Sequence, residues 1–229
     1  MFSKFKELFT SESLLDKAYT TTVTMLEFDY KMYKAAREVL RELDTATLPF
    51  DFKKSDRKIN KYEREVRRNV LTHLTVAGTR NLVPGLVLVS IVIDVERIGD
   101  YTKNISGLAR DHKKALKAAG SETALSKIEA TIEEHFTSTI EVLRTQDKKL
   151  ARKIMRAEDE LSKKADRIIS DMVKGKDAKL STGDSVCIAL YLRFLKRTNS
   201  HLTNIASAIV NPFPRIGFSE KIKKSTKAS

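Results

Sequence analysis

Apolar residues recur at three- and four-residue steps along most of the chain. Between residues 11 and 44 they fall at Leu14, Ala18, Met25, Phe28, Met32, Ala36, Val39 and Leu43, the spacing of one buried helical stripe. Thr10 or Ser11 supplies an N-cap, Glu12 lies in the first turn, and Leu48 and Pro49 follow the end. The run Thr20-Thr21-Thr22-Val23-Thr24 is the weak point of this helix, because β-branched side chains lose rotamer freedom in helices. A second helix is expected over 55–74, with Ile59, Tyr62, Val66, Val70 and Leu74 on its stripe. Gly78 and Pro84 bracket the connector after it.

The segment beyond Pro84 reads two ways. Its run Val87-Leu88-Val89-Ser90-Ile91-Val92-Ile93 has the β-branched density of a buried parallel strand, with Asp94 at the carboxyl end. No glycine-rich phosphate loop follows it, however. The apolar pattern also continues through Val95, Ile98, Ile105 and Leu108 without a turn signal. A continuous helix of about 30 residues, entered at Pro84, is the better reading. After a break at 117–120, Ser121 is the expected N-cap of a fourth helix with Leu125, Ile128, Ile132, Phe136, Ile140 and Leu143 on its stripe. A fifth helix is expected over 147–173 and a sixth over 184–210, leaving 211–229 as a basic, flexible tail.

The six helices contain a repeat. Ile59 and Glu63-Arg64-Glu65-Val66 match Ile154 and Glu158-Asp159-Glu160-Leu161 at an offset of 95. Val95-x-Arg97 and Asn104-Ile105 match Leu195-x-Arg197 and Asn204-Ile205 at an offset of 100. The expected fold is therefore all-α: six long helices forming two repeated antiparallel three-helix bundles, residues 11–116 and 121–210, side by side. Eight Gly and four Pro in 229 residues are too few to punctuate a β-sandwich or barrel.

Composition narrows the chemistry. The single Cys187 excludes an intramolecular disulfide and any multi-cysteine metal centre, and it lies in an apolar stretch that suits an inert thiol. His73, His112, His135 and His201 show no metal-ligand spacing. The longest apolar run, 82–93, is 12 residues and holds Pro84 and Gly85, against about 20 for a membrane span. No signal-peptide core is present at the N-terminus, so a cytoplasmic location is expected. Forty-three Lys and Arg against 30 Asp and Glu give a net charge of +13, which attracts nucleic acid, an acidic lipid surface or an acidic protein.

The sharpest local feature is Asp94-Val95-Glu96-Arg97-Ile98-Gly99-Asp100, followed by Asn104-Ile105. Glu96 and Asp100, four apart, project from one helical face and repel each other mildly, so something positive should compensate. One answer is a bound cation. With neither cysteine nor histidine nearby, Mg, Mn or Fe suits such a site better than structural zinc. The other answer is an ion-pair network with Arg97, Arg67 or Arg68, and Arg67 is equally placed to neutralise Glu63.

Glu96-Arg97-Ile98-Gly99-Asp100 with Asn104-Ile105 resembles the signature helix of the PhoU phosphate-uptake regulators, and the helix carrying Ile59, Glu63, Glu65 and Val66 is similar to the one before it in that family. The resemblance covers residues 11–210. It implies a non-enzymatic adaptor between a phosphate transporter and a phosphate-responsive histidine kinase, often dimeric. It also implies a metal ion held by Glu96 and Asp100; two acids are too few for a hard cation such as Fe, Mn or Mg, so water or Glu63 is expected as a further ligand. Arg97, Asn104, Arg197 and Asn204 are the shared motif positions. At the aligned positions of the second unit stand Lys196 and Ser200, which argues that its metal site is lost.

A basic helical nucleic-acid-binding protein is the alternative. Lys53, Lys54, Arg57, Lys58, Lys61, Arg64, Arg67 and Arg68 crowd one helix and its approach. The absence of a helix-turn-helix or stacking-platform signature weighs against direct nucleic-acid contact. No nucleophile–base spacing points to an enzyme. Peripheral contact with an anionic membrane is a further expectation. It rests on Phe2, Phe5, Leu8 and Phe9 interleaved with Lys4 and Lys6, and on Lys221, Lys223, Lys224 and Lys227.

Overall fold

The computed structural model describes residues 11–176 and 179–220. Its helices are α1 (Ser11–Glu42), α2 (Phe52–Ala77), α3 (Leu82–Asp111), α4 (Glu122–Thr145), α5 (Lys148–Val173) and α6 (Thr182–Val210), with short 3-10 turns at Gly78–Asn81, Ala119–Ser121 and Phe213–Arg215. The N-terminal phenylalanines, the cap expected at Thr10 and the lysines of 221–229 lie outside the described residues.

Local chemistry explains where the helices hold and where they begin. The threonine run of α1 stays helical because the hydroxyls of Thr21, Thr22 and Thr24 donate to carbonyls one turn back, at 2.8, 2.9 and 2.9 Å. Asp51, Asp147 and Ser181 cap α2, α5 and α6 through their side chains. Ser121 makes no such bond to α4. The chain enters α4 through a 3-10 turn, and Glu122 reaches back to accept the Ala118 amide at 2.6 Å.

Residues 87–93 lie within α3, as the continuous-helix reading expected, and not in a strand. Their β-branched density reflects burial among α1, α2 and α6. The expectation that no segment reaches membrane-spanning length is corrected. Helix continues past the apolar run, and one stretch within Phe52–Asp111 is long and apolar enough by length and composition. Leu88, Ile91, Val92, Val95 and Ile98 of α3 are buried in the core, although only 22% of that stretch is buried.

In the first unit α1, α2 and α3 pack on one another; α4, α5 and α6 do so in the second. Contacts of α3 with α6 and of α1 with α4 join the units, and one apolar core runs through both. Tyr30 and Tyr33 of α1 meet Phe136 of α4 at ring distances of 5.0 and 5.1 Å. The repeat is visible in burial: positions 91–100 and 191–200 show the same order of buried, intermediate and exposed residues throughout.

Residues 211–220 depart from the flexible tail expected there. Asn211 Nδ2 donates to the carbonyls of Arg215 and Phe218 at 3.0 and 2.6 Å, and the Gly217 amide donates to Ser207 Oγ at 2.7 Å. Gly217 has φ 84°, a left-handed turn that glycine adopts without strain. Arg152 of α5 then holds Glu220 through two bonds of 2.8 Å.

One buried group makes the core sensitive to acid. His135 of α4 donates from Nδ1 to Asn199 Oδ1 of α6 at 2.6 Å. Burial holds its imidazole below the ordinary value, against the opposing hydrogen bond to Asn199. The unfolded chain therefore takes up this proton first, so the stability tied to a neutral His135 is complete above about pH 6.5 and lost as pH falls toward the folded value. Urea unfolding above and below that pH should show wild type losing stability in acid and His135→Gln losing less.

Candidate functional site

The exposed side of α3 changes character along its length, from Leu82, Leu86 and Ile93 to Glu96 and Asp100. Arg97 lies between the two acids. Its Nε is 3.7 Å from Glu96 Oε2 and its Nη1 donates to Asp100 Oδ2 at 3.1 Å. From α2, Asp56 pairs with Lys103 of α3 at 2.9 Å, and Glu63 pairs with Arg67 at 2.7 Å. Burial pushes the Glu96 carboxyl above its ordinary range, helped by Asp100, Glu63 and Asp56 and opposed by Arg97. Glu63, Glu96 and Asp100 thus share one electrostatically coupled patch between α2 and α3.

The structure adds an acid that the sequence reading passed over. Asp29 of α1 is fully buried, and neither carboxylate oxygen has a hydrogen-bond partner. Its carboxyl is held well above the usual range by burial first, then by Glu96 and Asp100. Gly99 explains how it fits: a Cβ there would stand 2.7 Å from Ile59 Cδ1 and 3.0 Å from Asp29 Oδ1. The glycine of the motif therefore lets α3 close onto α1 and α2 over a carboxylate. The signal was present, since Asp29 falls four residues after Met25 and three before Met32, on the apolar stripe itself.

The donor chemistry fits a hard cation: carboxylates only, one of them buried and unpartnered. As the side chains stand, however, no three of His, Cys, Asp or Glu among the described residues are gathered closely enough to hold an ion. Arg97 occupies the oxygens that an ion would need. This is the ion-pair arrangement rather than a ligand set.

The second unit is built differently at the matching places. Lys196 binds Asp166 at 2.6 Å, and Ser200 Oγ lies 3.4 Å from Glu158 Oε1. Asn199, the counterpart of Gly99 at the offset of 100, fills its pocket and accepts from His135. Where the first unit buries a lone carboxylate, the second buries a neutral, hydrogen-bonded pair.

Of the remaining motif residues, Asn204 and Arg197 serve the joint between the units. Asn204 donates to Asp94 Oδ1 at 3.1 Å, and His201 Nδ1 is 2.7 Å from the same oxygen. Tyr101 and His201, counterparts at the offset of 100, stack at 5.8 Å across the α3–α6 contact. Arg197 Nε donates to the Tyr101 hydroxyl at 3.3 Å. Asn104 is exposed. Cys187 is buried, and desolvation, with a smaller push from Asp184, raises its thiol to about 11, as suits an inert side chain.

Known proteins share this architecture. The PhoU domain matches residues 22–109 and again 125–209. The uncharacterised protein MJ1641 of Methanocaldococcus jannaschii is 26% identical over 220 residues, which cover 93% of this chain and 70% of that protein. The crystal structure of PhoU from Pseudomonas aeruginosa superposes with a TM-score of 0.78 at 18% identity, over 87% of this chain and 96% of that one. The phosphate transport system regulatory protein PhoU of Streptococcus pneumoniae gives 0.70 at 12% identity, over 88% and 95%. With the domain matched once in each three-helix unit and the glycine-bearing acidic helix in place, the chain belongs to the PhoU family.

Proposed function

We propose that this protein is a regulator of phosphate transport that works by protein contacts rather than by catalysis. It is read as a cytoplasmic adaptor, acting as a homodimer between a phosphate transporter and a histidine kinase. The observation that carries the reading is the family match in both units, supported by the likeness to the phosphate transport system regulatory protein PhoU of Streptococcus pneumoniae. A shared core suits such a role. The two units, joined through α1–α4 and α3–α6, respond as one body to a partner bound on either.

We further propose that Asp29, Glu96 and Asp100, with Glu63 from α2, hold one Mg, Mn or Fe ion in the first unit. The unpartnered carboxylate of Asp29 supports this. Such an ion supplies the positive charge that the buried acid lacks. Binding it requires Arg97 to release both acids, so the surface that α3 offers to a partner would change with occupancy. Chromosomal deletion tests the regulatory reading. Phosphate uptake and starvation-gene expression should rise in phosphate-replete medium and return to normal with the wild-type chain; unchanged uptake and expression at every phosphate level would overturn it.

A further inference from the structure

We infer that the end of the molecule where α2 turns into α3 docks on an anionic lipid surface. The inference concerns where the protein sits and does not depend on the phosphate reading. Leu71 is 66% exposed and Val83 57%, with Val76, Leu82 and Leu86 exposed beside them. These side chains cluster around the short turn Gly78–Asn81 at the tip of two packed helices. From residue 66 to residue 93 the sequence contains no Asp or Glu, while Arg67, Arg68 and Arg80 flank the apolar group. An apolar tip flanked by arginines, with Asp16 the one acid in the adjoining groove, is suited to the boundary between headgroups and acyl chains.

The adjoining surface continues the pattern. A largely apolar groove of about 380 Å³ runs beside the tip, lined by Leu15, Asp16 and Tyr19 of α1, Val83 of α3, and Ile209 and Phe213 at the end of α6. Gln146, at the α4–α5 turn, lines it too and donates to the Tyr19 hydroxyl at 2.6 Å. The start of α1, the start of α3, the start of α5 and the end of α6 therefore share this end.

The described chain both begins, at Ser11, and ends, at Glu220, on this side of the molecule. Residues 1–10 join α1 at Ser11, one turn before Leu15, and carry Phe2, Phe5, Leu8 and Phe9 with Lys4 and Lys6. Residues 221–229 follow Glu220, which Arg152 holds against the first turns of α5, and carry Lys221, Lys223, Lys224 and Lys227.

Charge complementarity selects the occupant. Nucleic acid would use the cations and leave the exposed leucines and valines without a role. A protein partner or second copy would cover the apolar group but gives no reason for lysines on both terminal segments. An anionic bilayer uses both, burying the apolar side chains while lysines and arginines sit at the headgroups.

Flotation of the full-length chain with vesicles tests this. Expected is binding to phosphatidylglycerol-rich vesicles, little to pure phosphatidylcholine, and loss of binding in molar salt. Val83→Asp/Leu86→Asp should weaken the partition at least about tenfold. Leu71→Asp/Val76→Asp, on the other helix and away from the groove, should do the same. All four sites are exposed, so unchanged helical circular dichroism should accompany both variants. Absence of binding to anionic vesicles, equal binding to neutral ones, or Asp variants that float like wild type would each overturn the proposal. So would a dimer that the Asp variants dissociate in the absence of vesicle binding, since the tip would then be an interface between copies.

Discussion

Replacing Arg41 by methionine is expected to destabilise the protein by about 3–5 kcal/mol, the range found when one partner of a buried ion pair is removed. Arg41 belongs to α1 yet serves the second unit. Its Nε donates to Glu129 Oε1 of α4 at 2.9 Å, and its other nitrogens reach Glu122 and the Leu116 carbonyl. The side chains of Arg41 and Glu129 are 5% and 8% exposed, so water can replace little of what is lost. Tyr191 of α6 donates to the same Glu129 oxygen at 2.8 Å, so the orphaned carboxylate would retain that neutral donor and the more distant attraction of Arg37.

The paired variant separates pairing from packing. Arg41→Met/Glu129→Leu should be less destabilised than Arg41→Met alone, because removing both charges relieves the desolvation cost that truncating one leaves behind. Urea unfolding of the two singles and the double completes the cycle. A loss below about 1 kcal/mol for Arg41→Met would mean the pair behaves like a surface ion pair.

The lengths of α3 and α5 and the repeat were legible because each rests on spacing, and spacing survives when individual residues change. Val95 and Leu195, or Val66 and Leu161, differ in type but occupy matching buried positions. What escaped pattern reading were interactions made by single side chains across distance. A stripe search records Met25 and Met32 and steps over Asp29 between them, although a carboxylate at an apolar position is the more informative residue. The Ser121 cap failed for a local reason: its backbone, at φ −96° and ψ 4°, lacks the extended geometry that aims an N-cap hydroxyl at the first amides. The order of 211–220 depends on Asn211 bonding two carbonyls ahead of it, which leaves no periodicity to read.

Asp29→Leu is expected to stabilise the metal-free protein by about 1–3 kcal/mol, a reversal of the usual effect of altering a core position. The native carboxyl is fully buried with both oxygens unpartnered, and burying a polar group without a hydrogen bond costs free energy whether or not it is charged. Leucine removes that cost and keeps comparable bulk beside Ile59 and Gly99. Natural retention of an acid at such a cost points to a ligand. Added Mn or Mg should therefore stabilise wild type, by about 2.7 kcal/mol at 100 times the dissociation constant. It should leave both Asp29→Leu and Glu96→Ala/Asp100→Ala unchanged. Thermal unfolding with and without cation, together with metal analysis of the purified proteins, separates the cases. Metal retained by the Glu96→Ala/Asp100→Ala variant would place the ion elsewhere. If no cation shifts wild type while Asp29→Leu still gains, then Arg97 is the intended partner of Glu96 and Asp100, and the buried carboxylate serves something other than a metal.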